Sequence, residues 1–301
     1  MKHIGTKVLL LVLSLLLAGG LLVSCGGDDT ERLPDVVTKG IPENEKVKNT
    51  IVSDGFTIAV HVTYAEIVSY TGKETEIILP ESATGVPVKL IGEAAFKNNT
   101  KLTKVTLPAS TLTVDRYAFE GCTALTEVIF NDGLETIGDY AFRNSGLSVL
   151  NLPDSVAGIG KYSFYNTKIE ELVIPDSVSR LGKYAFYGCK ALKSIEFCPR
   201  LYEIGERVFY NCTSLTEIII PKTVTKIEDY AFSTCTALTK IVIPAETTDI
   251  GEGVFMGCPN LTIYAPSGSA AEKNATRNKY TFEAANYDAM VSKTPKAMPT
   301  P

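Results

Sequence analysis

Histidine is nearly absent from this sequence. Only two of the 301 residues are His, at positions 3 and 61. The chain also contains neither Gly-x-Ser-x-Gly nor His-Glu-x-x-His, the motifs of serine hydrolases and zinc proteases. An isolated His61 in a segment of alternating polarity is typical of a surface or core residue, not of a catalytic base. The sequence therefore predicts a protein that is not an enzyme and that uses no cofactor.

The chain lacks an excess of positive charge. It carries 29 Lys and Arg against 34 Asp and Glu, a formal net charge of −5. No long run of like charge marks an interaction tail. A mildly acidic chain has no electrostatic footprint for nucleic acid, so we expect no nucleic-acid partner.

The N-terminus is a separate segment. A basic start, MKHIGTK, precedes the apolar run VLLLVLSLLLAGGLLV, which ends at Cys25. This order is typical of a signal peptide, and Leu22–Cys25 resembles the lipobox at which a lipid-modified cysteine is exposed. An ordinary secretory signal with a chance cysteine is the alternative. The following GGDDTE resembles the acidic signal that sends lipoproteins of Bacteroidota to the cell surface. We expect a signal peptide at 1–24, a lipid on Cys25 as the only membrane contact, and display on the outer membrane.

Phenylalanine shows a repeat. Eight of the twelve Phe residues are spaced 22 or 23 apart, and Ile or a relative stands five positions before each of them. The segment Leu-x-x-Ile-x-Ile follows, and Pro often ends the unit. The eight positions are Phe96, Phe119, Phe142, Phe164, Phe186, Phe209, Phe232 and Phe255.

A unit of this size cannot bury its own apolar residues, so units must stack into ladders. Leu-x-x-Ile-x-Ile alternates as a strand with one buried face does, and strands one unit apart must run parallel. The segment before each Phe suits a tight turn or a single helical turn. With neighbouring strands about 4.8 Å apart, eight units make a solenoid roughly 40 Å long.

The unit IPDSVSRLGKYAFYGCKALKSI resembles the BspA-type, or Treponema-type, leucine-rich repeat of bacterial surface proteins. The resemblance covers 77–266 and implies a leucine-rich-repeat solenoid of about eight coils. We expect a flexible tether at 25–50 and a β-hairpin cap with a Thr-Gly turn at 51–76. A helix-containing cap at 267–284, with Phe282 over the last coil, and a disordered tail at 285–301 complete the chain.

Five cysteines lie three residues after a repeat Phe, where other units have Asn99, Ser145 or Thr167. This column favours small inward side chains that contact backbone. Disulfides between adjacent coils are an alternative, although stacked side chains point the same way. A single file of thiols cannot converge on zinc. Cys198 lies outside the column, which comprises Cys122, Cys189, Cys212, Cys235 and Cys258.

Two variable surfaces are candidates for binding. Tyrosines two residues before and one residue after the Phe concentrate in the middle units, and Tyr is favoured at interfaces; a structural ladder at the turn is the alternative. These are Tyr162, Tyr165, Tyr184, Tyr187 and Tyr210. The second surface, the strand face, comprises the outward residues of the predicted strands, unless their Ile and Val serve strand propensity alone. They are Lys104, Thr106, Glu127, Ile129, Val149, Asn151, Glu171, Val173, Ser194, Glu196, Glu217, Ile219, Lys240 and Val242.

Ser155 and Ser177 lie in Asp-Ser-Val sequences that resemble O-glycosylation sites of Bacteroidota; simple Pro-Asp-Ser turn chemistry is the alternative. The family resemblance implies a surface adhesion protein that binds a host extracellular-matrix protein or a bacterial surface protein. A glycan- or nutrient-handling accessory of an outer-membrane uptake system is the second interpretation, and a structural envelope protein is the third.

Overall fold

The structure of the protein is a computed structural model and describes residues 41–42 and 45–292. Cys25, the expected signal peptide and the end of the expected tail lie outside these residues. The described chain is a β-solenoid in which each coil contains short strands joined by turns.

The N-terminal cap is a three-stranded antiparallel meander. It consists of β1 (Asn49–Ser53), β2 (Phe56–Val60) and β3 (Ala65–Tyr70). The tight turn between β1 and β2 is Asp54-Gly55, with φ of 50° and 82°, the conformation that two-residue hairpin turns require. The Thr-Gly turn predicted within the cap is therefore wrong as a hairpin turn, because Thr71-Gly72 follows β3.

The first strand ladder carries the strand face. Its paired strands are parallel and in register, as predicted. The ladder is interrupted twice. The first break is at Val149 and Asn151, which were predicted on a strand: Val149 forms only an isolated bridge with Glu127, in a 22-residue unit. The second break is between Ser194–Glu196 and Glu217–Ile219, two strands that belong to separate sheets. The strands are β4 (Glu76–Ile78), β7 (Lys104–Thr106), β9 (Glu127–Ile129), β12 (Glu171–Val173), β13 (Ser194–Glu196), β15 (Glu217–Ile219), β17 (Lys240–Val242), β19 (Thr262–Ala265) and β20 (Thr281–Ala284).

A second parallel ladder runs through the column of Ile residues that precedes each Phe. It begins on β3, which pairs with β6, and continues through two-residue strands as far as Gly158–Ile159. Only isolated bridges at Arg180 and Leu181 link that strand to Glu203–Ile204, where the ladder resumes. A short strand, β5, pairs with β6 in antiparallel fashion. The strands are β5 (Ser82–Ala83), β6 (Val86–Ile91), β8 (Thr113–Val114), β10 (Thr136–Ile137), β11 (Gly158–Ile159), β14 (Glu203–Ile204), β16 (Lys226–Ile227) and β18 (Asp249–Ile250).

The core between the ladders is organised around the eight repeat Phe residues. All eight are at most 2% exposed, and consecutive rings stack with centroids 4.8–6.2 Å apart and planes within 10°. Each coil therefore covers the ring of the coil before it, and the predicted Phe register is confirmed.

The segment around each Phe is a turn, not a helical turn. In each unit, two residues adopt the left-handed conformation, one two positions before the Phe and one two positions after it. The second column consists mainly of Asn and Gly, which tolerate positive φ. The first is mostly tyrosine, including Tyr162 (φ 56°) and Tyr184 (φ 60°). Backbone amides of these turns bond to the following coil, as in Phe186 N to Val208 O at 3.0 Å.

The C-terminal cap contains the predicted helix. Helix α1 (Ala270–Asn278) begins after Ser269, whose hydroxyl accepts from the Glu272 amide, a normal helix N-cap. Phe282 covers the last coil, as predicted: it pairs with Ile263 through β20 and packs against the core. Tyr280 lies edge-on to the last ladder ring, that of Phe255, with 6.0 Å between centroids.

Two expected boundaries are wrong. The tether was expected to reach residue 50, but Asn49 begins β1, and the Glu45 carboxylate accepts from Thr63 at 2.8 Å. The disordered tail was expected from 285, but residues Tyr287–Val291 form helix α2. Both segments contact the folded body. None of the helices in the described residues is long and apolar enough to cross a bilayer.

Candidate functional site

The strand face exposes apolar side chains. Ile129, Val149 and Val173 lie on consecutive coils and are 42%, 47% and 58% exposed. Their inward neighbours, such as Leu150 and Leu172, are buried. The alternation therefore continues through the broken strand of the short unit, and the outward positions predicted for this part of the ladder are confirmed.

Charge on the strand face is distributed unevenly. Near its two ends, carboxylates are neutralised by lysines: Lys104 lies 2.9 Å from Glu127, and Lys240 lies 3.2 Å from Glu217. In the middle coils Glu171 and Glu196 are exposed beside Val173 and Ser194. Neither carboxylate forms an ion pair within the part of the chain that the structure describes. The centre of the strand face is therefore apolar and acidic.

The C-terminal end of the strand face is covered. The Tyr287 hydroxyl of helix α2 donates to the Ile220 carbonyl at 2.8 Å, and Asp288 pairs with Lys222 at 2.7 Å. Val242, predicted to point to solvent, is only 1% exposed and does not belong to the main core. Its burial departs from the repeat pattern, which places this position outward.

The candidate tyrosines form two stacked ladders. Rings of Tyr162 and Tyr184 lie 4.5 Å apart in one ladder, which continues back to Tyr140 and Tyr117. Rings of Tyr165, Tyr187 and Tyr210 form the other, at 4.9 and 4.7 Å. All are half-buried. The structure thus brings the five predicted tyrosines together, but it turns the faces of their rings towards one another.

A charged group ends the first tyrosine ladder. Arg207 replaces tyrosine in this column, and its guanidinium donates to the Tyr184 hydroxyl at 2.6 Å and to the Glu206 carboxylate. The Tyr184 hydroxyl donates in turn to Glu206 Oε1 at 3.0 Å. Arg207 also lies over the ring of Tyr230, 4.7 Å from its centroid. Arg207 was not predicted as a site residue from the sequence, although a charged residue in a column of tyrosines is a recognisable departure from the repeat.

Burial perturbs the tyrosine hydroxyls. It raises the pKa of Tyr162, Tyr184 and Tyr187 above that of a free phenol, since the phenolate loses hydration in the stack. Neighbouring hydroxyls add to the effect at Tyr162 and Tyr187. Tyr162, Tyr184 and Tyr187 therefore stay protonated well above neutral pH.

The cysteine column is buried and points to backbone, as predicted. Each thiol donates to the carbonyl of the Phe one coil earlier; Cys122 to Phe96, at 3.0 Å, is one case. Cys198 makes a similar bond to Val178, also at 3.0 Å. All six cysteines among the described residues are free thiols. Burial raises the pKa of Cys189 to about 11 and of Cys122 to about 12.

The two candidate glycosylation serines have structural partners. Ser155 Oγ donates to the Leu134 carbonyl at 2.6 Å, and Ser177 Oγ donates to Asp154 at 2.6 Å and to Val156. These hydrogen bonds explain the presence of both serines, because such side-chain bonds to backbone stabilise turns. Glycosylation of either serine stays a prediction.

His61 lies in the N-terminal cap and is 6% exposed. Its ring stacks on Tyr64 at 4.2 Å, and its Nδ1 lies 2.8 Å from the Glu45 carbonyl. Glu66 Oε2 is 3.5 Å from Nε2. These contacts hold the incoming chain on the cap. Among the described residues, no three His, Cys, Asp or Glu side chains are grouped closely enough to hold a metal.

A known protein family matches the repeats of this chain. The model of the BspA type leucine rich repeat region matches residues 89–165 and 157–284 with six copies, which together span more than half of the 301 residues. The matched stretch contains all eight Phe residues of the ladder, both tyrosine ladders and the C-terminal cap. A search of curated proteins finds no match.

Solved structures with the same repeat are similar to the chain. A leucine rich repeat protein of Treponema pallidum is 22% identical and covers 79% of this chain and 100% of its own, with a TM-score of 0.41. A leucine rich cell surface protein of Faecalibacterium prausnitzii is 23% identical, with 76% and 98% covered and a TM-score of 0.32. A leucine-rich repeat protein of Bacteroides ovatus is 19% identical, with 78% and 100% covered and a TM-score of 0.32.

Proposed function

Because the chain belongs to the BspA-type leucine-rich-repeat family, we propose that it is a non-enzymatic binding protein that recognises another protein through its strand face. Solenoids present extended surfaces of this kind to their partners. The chain's own residues supply the argument for the strand face, since a fold by itself does not determine a function.

One observation carries the proposal. Ile129, Val149 and Val173 are exposed apolar side chains on three consecutive coils, and together they are called the apolar strip. Val149 is in register with Glu127, so it lies diagonally between the other two. At the C-terminal end the same face is covered by helix α2. Contiguous apolar surface on a soluble protein is typical of an interaction site.

Charge defines the class of partner. Glu171 and Glu196 lie beside the apolar strip and make no ion pair in the described chain. A partner with apolar residues flanked by Lys or Arg matches this surface, since complementary charge speeds association and disfavours the wrong partners. A host matrix protein or a bacterial surface protein with such a segment fits the proposal.

The tyrosine ladders support a protein partner over a glycan. Sugar rings stack on open aromatic faces, whereas the faces of Tyr162, Tyr184 and Tyr187 are occupied by neighbouring rings. The tyrosine ladders therefore offer no open aromatic platform to the glycan-handling alternative. We propose surface display through the lipid on Cys25, for which the acidic GGDDTE sequence is the support.

The test is a binding experiment with a matched pair of variants. The purified protein is presented to immobilised host matrix proteins, to bacterial surface proteins and to a glycan array. Val173→Arg places a cation on the apolar strip. Met256→Arg makes the same change at a residue of similar exposure, 50%, away from the strand face.

We expect Val173→Arg to abolish protein binding and Met256→Arg to preserve it, with both variants retaining the melting temperature of the parent. Equal binding by both variants would place the site elsewhere and contradict the proposal. Retention on the glycan array alone would establish the glycan-handling alternative.

A further inference from the structure

The two tyrosine ladders are joined into one network of seven rings. Tyr162 lies 5.8 Å from Tyr165, and Tyr184 lies 6.1 Å from Tyr187, so the ladders contact each other at two coils. Within each ladder, adjacent centroids are at most 5.0 Å apart. If one of these rings loses an electron, the resulting vacancy can pass from phenol to neighbouring phenol through the whole network.

One ring of the network has a base for its phenolic proton. Oxidation of a phenol by one electron makes its hydroxyl strongly acidic, so the radical is stabilised where a proton acceptor is already bonded. The Tyr184 hydroxyl donates to Glu206 Oε1 at 3.0 Å. Glu206 is held by Arg207, which contacts both groups. Tyr184 is thus a site in the network where an oxidised ring can lose its proton to a carboxylate.

The nearest ring to Tyr184 is that of Tyr162, at 4.5 Å and with 9° between planes. Equivalent side chains on adjacent coils point the same way, so the ortho carbons of the two phenols lie side by side. Both residues are half-buried, so part of each ring is accessible to an oxidant in solution.

From this geometry we propose that Tyr162 and Tyr184 are a site of oxidative cross-linking, where a one-electron oxidant converts the pair into a dityrosine that joins adjacent coils. Each phenol gives one electron to the oxidant and one proton to Glu206 or solvent. The two phenoxyl radicals then form a carbon–carbon bond between ortho positions, and the two ortho hydrogens move to the oxygens as the rings regain aromaticity. The balance is two electrons to the oxidant and two protons released.

Packing alone does not require hydroxyls at these positions. The Phe ladder achieves equivalent stacking in the same turns, at 5.1 Å between Phe164 and Phe186. The tyrosine network adds oxidisable phenols at the surface, together with a carboxylate acceptor. A covalent bond between coils would oppose the separation of repeats, whose stability depends on nearest-neighbour contacts.

The experiment oxidises the purified full-length protein at low concentration with a photo-excited ruthenium(II) polypyridyl complex and persulfate. Dityrosine fluorescence reports the reaction, and mass spectrometry of proteolytic peptides identifies the joined residues. We expect a monomer lighter by two hydrogens and a peptide pair linked through Tyr162 and Tyr184.

Three variants make the test specific. Tyr184→Phe keeps the ring and should lose the linked pair, while Glu206→Gln keeps the shape of the acceptor but removes the base and should lower its yield. Tyr202→Phe, at a 44% exposed tyrosine outside the network, is the control and should leave the yield unchanged. Linkage only between molecules, or an unchanged yield in Glu206→Gln with an unchanged melting temperature, would overturn the proposal.

Discussion

The ring of Phe186 lies parallel to that of Phe164, with 5.1 Å between centroids and 7° between planes, although the two residues are one whole repeat apart. The same relationship recurs along the ladder, so each coil's core is completed by its neighbours. Local damage to the ladder therefore removes contacts on both sides.

Phe186→Ala should be severely destabilising. The side chain is fully buried in the middle of the ladder, and truncation of a buried Phe costs about 3–5 kcal/mol in free energy of unfolding. A denaturant titration measures the loss. An unchanged midpoint would show that the Phe register is incorrect.

Tyr187→Ala, at the residue next to Phe186, should reduce stability by a smaller amount. The sequence predicted an outside position and almost no loss, but the ring stacks between Tyr165 and Tyr210. Two aromatic contacts worth about 0.5–1.5 kcal/mol each give an expected loss of about 1–3 kcal/mol. Tyr187→Phe, which keeps both stacks, should lose much less, and a loss equal to that of Phe186→Ala would make Tyr187 a core residue.

The six buried thiols should be inert in the folded protein. Burial raises the pKa of Cys189 and Cys258 to about 11, and the thiolate is the reactive form. At pH 8 we expect a thiol reagent to label these cysteines only as the chain unfolds, with all six becoming reactive in denaturant. Rapid labelling of any of them in native buffer would contradict the buried column.

Stability should fall at high pH because of the tyrosine ladders. The pKa of Tyr162, Tyr184 and Tyr187 is raised in the folded state by burial, so above pH 10, the ordinary value, the unfolded chain loses these protons first. The unfolded state then binds fewer protons, and stability decreases as pH rises. Tyr187→Phe should reduce the slope between pH 10 and 12 in pH-dependent melts, and an identical slope would count against the shift.

Cys25→Ala tests anchoring. If the cysteine carries lipid, the variant should appear as an uncleaved or soluble product that no longer incorporates labelled fatty acid. The parent protein, grown with the same label, is the control. Equal labelling of the two would exclude Cys25 as the lipidated residue.

Much of the fold follows from periodicity alone. The apolar residues recur at a constant spacing, as the Phe, the Ile column and Leu-x-x-Ile-x-Ile show. They can be buried in only one way, which is to stack the equivalent positions of successive units. This is why the burial of the Phe ladder, the parallel strands and the inward Cys column were all predicted correctly. The Asn and Gly positions two residues after each Phe also carry a local signal for positive φ.

The tertiary structure decided those features of the protein that the repeat pattern does not encode. Tyr162 and Tyr184 occupy left-handed backbone positions, for which tyrosine carries no local preference; inter-coil hydrogen bonds and ring stacking hold them there. Val242 obeys the strand alternation yet is buried, at the end of the strand face where Tyr287 and Asp288 attach helix α2. The sequence by itself determined the repeating core, since each unit specifies its neighbour's environment, whereas contacts between residues far apart and outside the repeat depended on the folded chain.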